Sequence, residues 1–187
     1  TLVAGLSAFS FLELNAEPAN AGDWTQWGGH NSRNFISSEK GMPVSFDPGK
    51  KKAGSEDIDM ATTKNCLWVA KLGSQAYGTC TVSNGKIFVG TNNESPRSPK
   101  HIGDRGIVMC FDEKTGAFKW QLAAPKLGAG KVSDWEFLGM CSTPTIVGDR
   151  GYLVTNRCEI MCIDTKGLED GNQGFQDESK YMAAPDK

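Results

Sequence analysis

"TCTVSNGKIFVGTN" (residues 79–92) decides the fold, because the chain writes it again as "TPTIVGDRGYLVTN" (143–156) at a constant offset of 64. Thr79 falls on Thr143, Thr81 on Thr145, Phe88 on Tyr152 and Asn92 on Asn156. Each copy is a short apolar run, a polar turn and a second apolar run. Asn84-Gly85 is the strongest hairpin signal of the pair, since a two-residue type I′ turn needs φ > 0 at both central residues. Gly148-Asp149 marks the same turn less clearly.

A second pair of phrases follows each hairpin. "IVMCFDEKTGAFKW" (107–120) and "EIMCIDTKG" (159–167) align at an offset of 52, with Met109 on Met161, Cys110 on Cys162 and Asp112 on Asp164. In "DEKTG" the Asp112 carboxylate can accept hydrogen bonds from the turn's own amides, while Thr115 and Gly116 complete the turn and the glycine supplies its left-handed position. Asp164 and Gly167 mark the second copy. Upstream, "NCLWVAKLG" (65–73) matches the tail of the unit, Trp68 lying 52 residues before Trp120. The unit is therefore strand, tight turn, strand, connection, strand, Asp-turn and a last strand carrying Trp. A period of this length is read as a repeat architecture.

An apolar strand, then Asp-x-x-Thr-Gly, then a strand closing on Trp resembles the repeat of the pyrroloquinoline-quinone (PQQ) β-propellers, and "CFDEKTGAFKW" carries it in full. The opening "DWTQWGGHNSRN" (23–34) is similar to the lead-in of exported, planctomycete-type PQQ-like proteins. The resemblance spans roughly residues 23–172. It implies an all-β fold: a partial β-propeller of about two four-stranded antiparallel blades out of a ring that usually has seven or eight. It also implies that the blade Trp docks against a neighbouring blade. The sequence departs from the pattern where "DTKG" is one residue shorter than "DEKTG" and where no Trp follows Gly167. Two blades cannot close a ring, so the expectation is an N-terminal fragment.

The expected organisation is a truncated signal peptide over 1–21, with the apolar run "LVAGLSAFSFL" and a small-x-small "ANA" at 19–21. A lead-in segment with a blade-closing Trp strand (66–70) fills 22–78, one blade 79–122, and a crossover with the start of the next blade 123–172. A polar tail, 173–187, leads to missing blades. Expected strands run over 79–83, 86–92, 106–112, 117–122, 143–147, 150–156 and 159–164. The location that follows is exported, periplasmic or secreted. The apolar run is far short of the roughly 20 residues that span a bilayer, so no membrane span is expected.

A net charge of -2 without a dominant basic cluster gives no footing for a nucleic-acid partner; "GKKK" (49–52) reads as a solvated loop. The six cysteines permit disulfides in an exported protein, but sequence cannot choose their pairing. Cys158 and Cys162 read as strand positions, because four extended residues span roughly 13 Å, too far for one disulfide or one zinc.

Blade geometry puts the hairpin turn and the Asp-turn on one face. The insert "NESPRSPKHIGDR" (93–105) and the crossover "LAAPKLGAGKVSDWEFLGMC" (122–141) then share the other. Long loops gathered on one side of a rigid scaffold tend to carry binding residues. The candidates there are Arg97, His101, Arg105, Asp134 and Trp135, with Asn92 and Asn156 as strand-end oxygens. The preferred function is an exported, non-catalytic scaffold that binds a protein or a cell-envelope ligand. The alternative implied by the resemblance is a quinoprotein dehydrogenase oxidising an alcohol or sugar with PQQ and Ca²⁺. Such an enzyme would hold its cofactor with oxygen ligands and a disulfide of adjacent cysteines, which this stretch of chain does not contain.

Overall fold

The computed structural model describes residues 22–127 and 135–171. The expected signal peptide, Asp134 and the expected tail (173–187) lie outside the described residues. Everything regular in them is β apart from one 3-10 turn at Met60–Thr62. Two short strands, β1 (Lys50–Lys51) and β2 (Ile58–Asp59), form a small ladder, so "GKKK" is solvent-exposed as expected but extended. The first main sheet runs in the order β3 (Thr81–Ser83), β4 (Lys86–Asn92), β5 (Arg105–Asp112) and β6 (Phe118–Pro125). The second runs β7 (Thr145–Val147), β8 (Arg150–Val154) and β9 (Ile160–Asp164). Every pairing is antiparallel.

The expected hairpins are present, and the turns follow their glycines. Asn84 and Gly85 take φ of 50° and 73°, the double left-handed turn their sequence asks for. In the second copy Gly148 alone is left-handed, at 59°. That is the pattern of a turn with glycine at its first central position. The two turns of each unit meet at one end of the sheet. The Glu113 N–H donates to the Gly85 carbonyl, and the Thr165 N–H to the Asp149 carbonyl, each at 2.9 Å.

β5 is a nearly unbroken apolar run because it is covered on both sides. Ile107, Met109 and Phe111 point one way, into a cluster with Val89, Ala70, Leu72 and Ala123. Val108 and Cys110 point the other way, toward the second sheet. There Val108 packs with Ala124, Met140 and Leu153, and Cys110 with Phe88 and Ile146, while Trp120 spans both groups. The main core is thus the seam between the two sheets. The lead-in segment stitches it at the inner edge: Trp24 exchanges two backbone hydrogen bonds with Val82, and the Thr25 carbonyl accepts from the Ile146 N–H at 2.7 Å. Thr79 and Thr143, equivalent in the repeat, bond to each other directly.

Burial in this seam pushes the Cys110 thiol up from an ordinary value near 9 to about 12. In the folded protein at pH 8 it should resist iodoacetamide, whereas exposed Cys158 and Cys162 should alkylate. The folded-state value is the raised one, so Cys110's contribution is intact below about pH 9 and is lost as pH rises toward 12, where the unfolded thiol ionises first. Urea midpoints measured across that window check the sign.

Two expectations are corrected. Residues 66–70 form no strand, because no strand among the described residues lies beside them to supply ladder bonds. Side chains hold this segment instead. Cys158 is also not a strand position: it turns the chain ahead of β9 with φ of 59°. Cys66, Cys80, Cys110, Cys158 and Cys162 are free thiols.

Candidate functional site

The side chains that fix the unit are the repeat residues. Asp112 Oδ1 accepts from the Thr115 N–H (2.9 Å) and hydroxyl (2.8 Å), which hold its carboxyl below the usual range, the hydroxyl contributing most. Asp164 Oδ1 accepts from the Lys166 N–H at 2.8 Å in the shorter copy. Over each turn lies the Trp of the preceding unit. The Trp68 indole N–H donates to the Glu113 carbonyl at 2.8 Å, and the Trp120 indole N–H to the Thr165 carbonyl at 3.2 Å. A Cβ on Gly116 would lie 2.5 Å from the Trp68 ring, and one on Gly167 would lie 2.6 Å from Trp120. Both glycines are left-handed, at 70° and 63°. Glycine is thus needed twice over, for the turn and for the ring above it.

The opposite end of the sheets carries the long connections, and the structure brings them together. Asp104 Oδ2 accepts the Phe137 N–H at 2.7 Å and lies 3.6 Å from the Lys126 ammonium. That ammonium donates to the Trp135 carbonyl. Asn92, with no exposed surface, closes the clasp. Its amide NH₂ donates to the Phe137 carbonyl (2.6 Å) and to Ser74 Oγ (2.9 Å), and its oxygen accepts from the N–H groups of Ser74 and Glu94. Two donors and two acceptances exhaust an asparagine side chain. Asn156 ties the second unit to the first in the same place, its NH₂ donating to the Pro125 carbonyl at 3.0 Å.

The sequence-predicted residues separate accordingly. Trp135, 67% exposed, stands on the clasped crossover with its indole in solvent. His101 is exposed, and its carbonyl accepts from the Asn93 side chain at 2.7 Å. Arg105 opens β5 and donates through Nε to the Ile102 carbonyl. Arg97 leaves this group. Its guanidinium lies 4.7 Å from the centre of the Phe118 ring and 5.7 Å from that of Phe111, and it donates to the Lys71 carbonyl. It covers the flank of the first sheet. Asn92 and Asn156 are ties between units.

Asp104 and Lys126, the pair that locks the loops, have no local signal in the sequence; only the meeting of residues far apart in the chain reveals them. A cleft of about 370 Å³ opens three residues along the chain from Trp135, lined by Leu138, Gly139, Cys141, Ser142, Val154, Thr155 and Asn156. Its floor is apolar, and Ser142 Oγ bonds both backbone groups of Val154. Among the described residues, no cluster of three His, Cys, Asp or Glu side chains could hold a metal ion. No helix there is long and apolar enough to cross a membrane. The Asn92 oxygen, which already accepts two N–H groups, does not fit a Ca²⁺ ligand. No protein-family model and no curated protein matches the chain.

Proposed function

We propose that the chain is part of an exported β-propeller of the PQQ-like kind, serving as a binding or assembly scaffold for a protein or cell-envelope ligand. What supports the propeller is the Trp lock. Each Trp reaches onto the Asp-turn of the next unit, Trp120 from the outer strand β6 and Trp68 from an irregular segment, and the donor–acceptor pairs repeat at one offset. What supports a binding role is the clasp. Asp104 and Asn92 tie Phe137 to the first sheet, Lys126 lies 3.6 Å from Asp104, and the Trp135 ring and the 370 Å³ cleft stay open. An exposed tryptophan and an apolar cleft are features expected of a recognition surface.

The dehydrogenase alternative draws no support from the strand-end asparagines. Calorimetric titration of the protein with PQQ and CaCl₂ tests it, and no saturable heat is expected. Stoichiometric binding accompanied by dye-linked oxidation of an alcohol or sugar would overturn the scaffold reading. A photo-crosslinking amino acid at the exposed cleft position 154 should capture the partner in the exporting cell. Trp135→Ala should weaken its recovery at least about tenfold while changing stability by no more than about 0.5 kcal/mol, the usual limit for an exposed position.

A further inference from the structure

A second cleft, of about 260 Å³, opens on the insert between β4 and β5 and is lined by Lys71, Ser95, Pro96 and Arg97. None of these residues lines the cleft beside the crossover. Two of the four are cations. Among the described residues, neither Lys71 nor Arg97 forms an ion pair. The Glu56 carboxyl is held below its usual range first by its hydrogen bond with Lys51, and the Lys71 charge contributes least. Two like charges lining one cleft repel each other, and an oxyanion between them removes that cost.

The cleft is also held in shape. The Arg97 guanidinium lies over Phe118 at 4.7 Å and Phe111 at 5.7 Å, and one of its nitrogens donates to the Lys71 carbonyl. A guanidinium resting on rings by its face keeps its N–H edge for other acceptors. The insert is stapled from within. The Asn93 NH₂ donates to the His101 and Gly103 carbonyls at 2.7 and 2.8 Å, and Ser98 Oγ accepts from the Lys100 N–H. Pro96 and Pro99 fix their own φ angles on either side of Arg97. The half-buried Ser95 has a hydroxyl with no hydrogen-bond partner among the described residues. Donors fixed before a ligand arrives cost little to order when it binds.

We propose that this cleft is a subsite for an oxyanion, the carboxylate or phosphate group of a larger ligand. Arg97 meets two of its oxygens with the open edge of the guanidinium, Lys71 balances the remaining charge, and the Ser95 hydroxyl donates a hydrogen bond. Both oxyanions match that planar fork. The volume limits what enters. Whole-ligand pockets hold roughly 300–1,000 Å³, so this one takes a charged group while the rest of the ligand stays outside. The subsite depends on the insert alone and stands whether or not Trp135 holds a partner.

Amide chemical shifts of the full 187-residue chain, titrated with sodium acetate and with inorganic phosphate at fixed pH and ionic strength, test it. Shifts at Ser95, Arg97 and Ser98 should saturate with a Kd of about 1–10 mM, the strength of a few charge-assisted hydrogen bonds in water. Saturation by one probe alone assigns the ligand to that probe's class. Arg97→Gln should weaken binding at least about tenfold, the loss of a hydrogen bond to a charged group. Because Arg97 also covers the sheet, Lys71→Gln is the variant that leaves the packing in place, and it should weaken binding about threefold. Arg97→Lys, which keeps the charge and loses the fork, should fall between the parent and Arg97→Gln. Shifts that fail to saturate, that spread equally over Lys100, His101 and Arg105, or that survive both Lys71→Gln and Arg97→Gln unchanged would overturn the subsite.

Discussion

Trp120→Ala is expected to lower the unfolding free energy by about 3–5 kcal/mol, the range for truncating a large aromatic that packing holds on several sides. The ring joins both apolar groups of the seam between the sheets, lies on Gly167 and donates to the Thr165 carbonyl. Removing it leaves a cavity between the two sheets that glycine cannot fill from below. The strands on either side cannot close over it either, because Lys119 and Glu169 pair across the seam at 3.1 Å and the Asp-turn holds its own shape. Trp68→Ala should cost a comparable amount, since its ring stacks on Phe111 and covers Gly116. Urea unfolding followed by far-UV circular dichroism measures all three tryptophan variants. If Trp135→Ala lost as much as Trp120→Ala, Trp135 would be a packing residue and the proposed recognition surface would lose its centre.

The second large effect is expected at Asn92. Replacing it with Ala removes a fully buried amide and strips partners from the Ser74 and Glu94 N–H groups and from the Phe137 carbonyl, which belong to exposed residues. An ordinary hydrogen bond is worth about 1 kcal/mol net, so losing this set and the packing of the amide should cost about 2–3 kcal/mol. The damage should also be directional. The crossover is held by this amide and by Asp104, so trypsin should cut after Lys126 much faster in Asn92→Ala than in the parent. Asn156→Ala should cost less, because that residue is only half-buried and sits at the outer sheet. A loss below 1 kcal/mol at Asn92, with an unchanged digestion pattern, would show that the loops are held by something other than this amide.

The strands were legible because their signals are local. Alternation, the Asn84-Gly85 turn and the Asp-turn residues all lie within a few positions of the structure they cause, and β4 begins and ends at its expected residues. Repetition added long-range information that one unit lacks, since two copies of a phrase must make two copies of a sheet. The Trp positions were legible for the same reason. The segment 66–70 misled because its apolar pattern is that of a strand, while ladder bonds require a neighbour that the pattern cannot supply.

The candidate site was legible only as a location. Sequence alone determined that the fold is built of repeated antiparallel hairpins, that the long connections fall at the end opposite the tight turns, and that Trp135 sits on one of them. Tertiary structure alone decided what each side chain does there. It drew Arg97 away onto Phe118, made Asn92 an internal clasp rather than a ligand, and brought out Asp104 and Lys126 as the pair that fixes the loops. The reason is physical. A hairpin is specified by the torsional preferences of adjacent residues, whereas the partner of a buried amide or a charged side chain is whichever group the packing of distant segments delivers within about 3 Å.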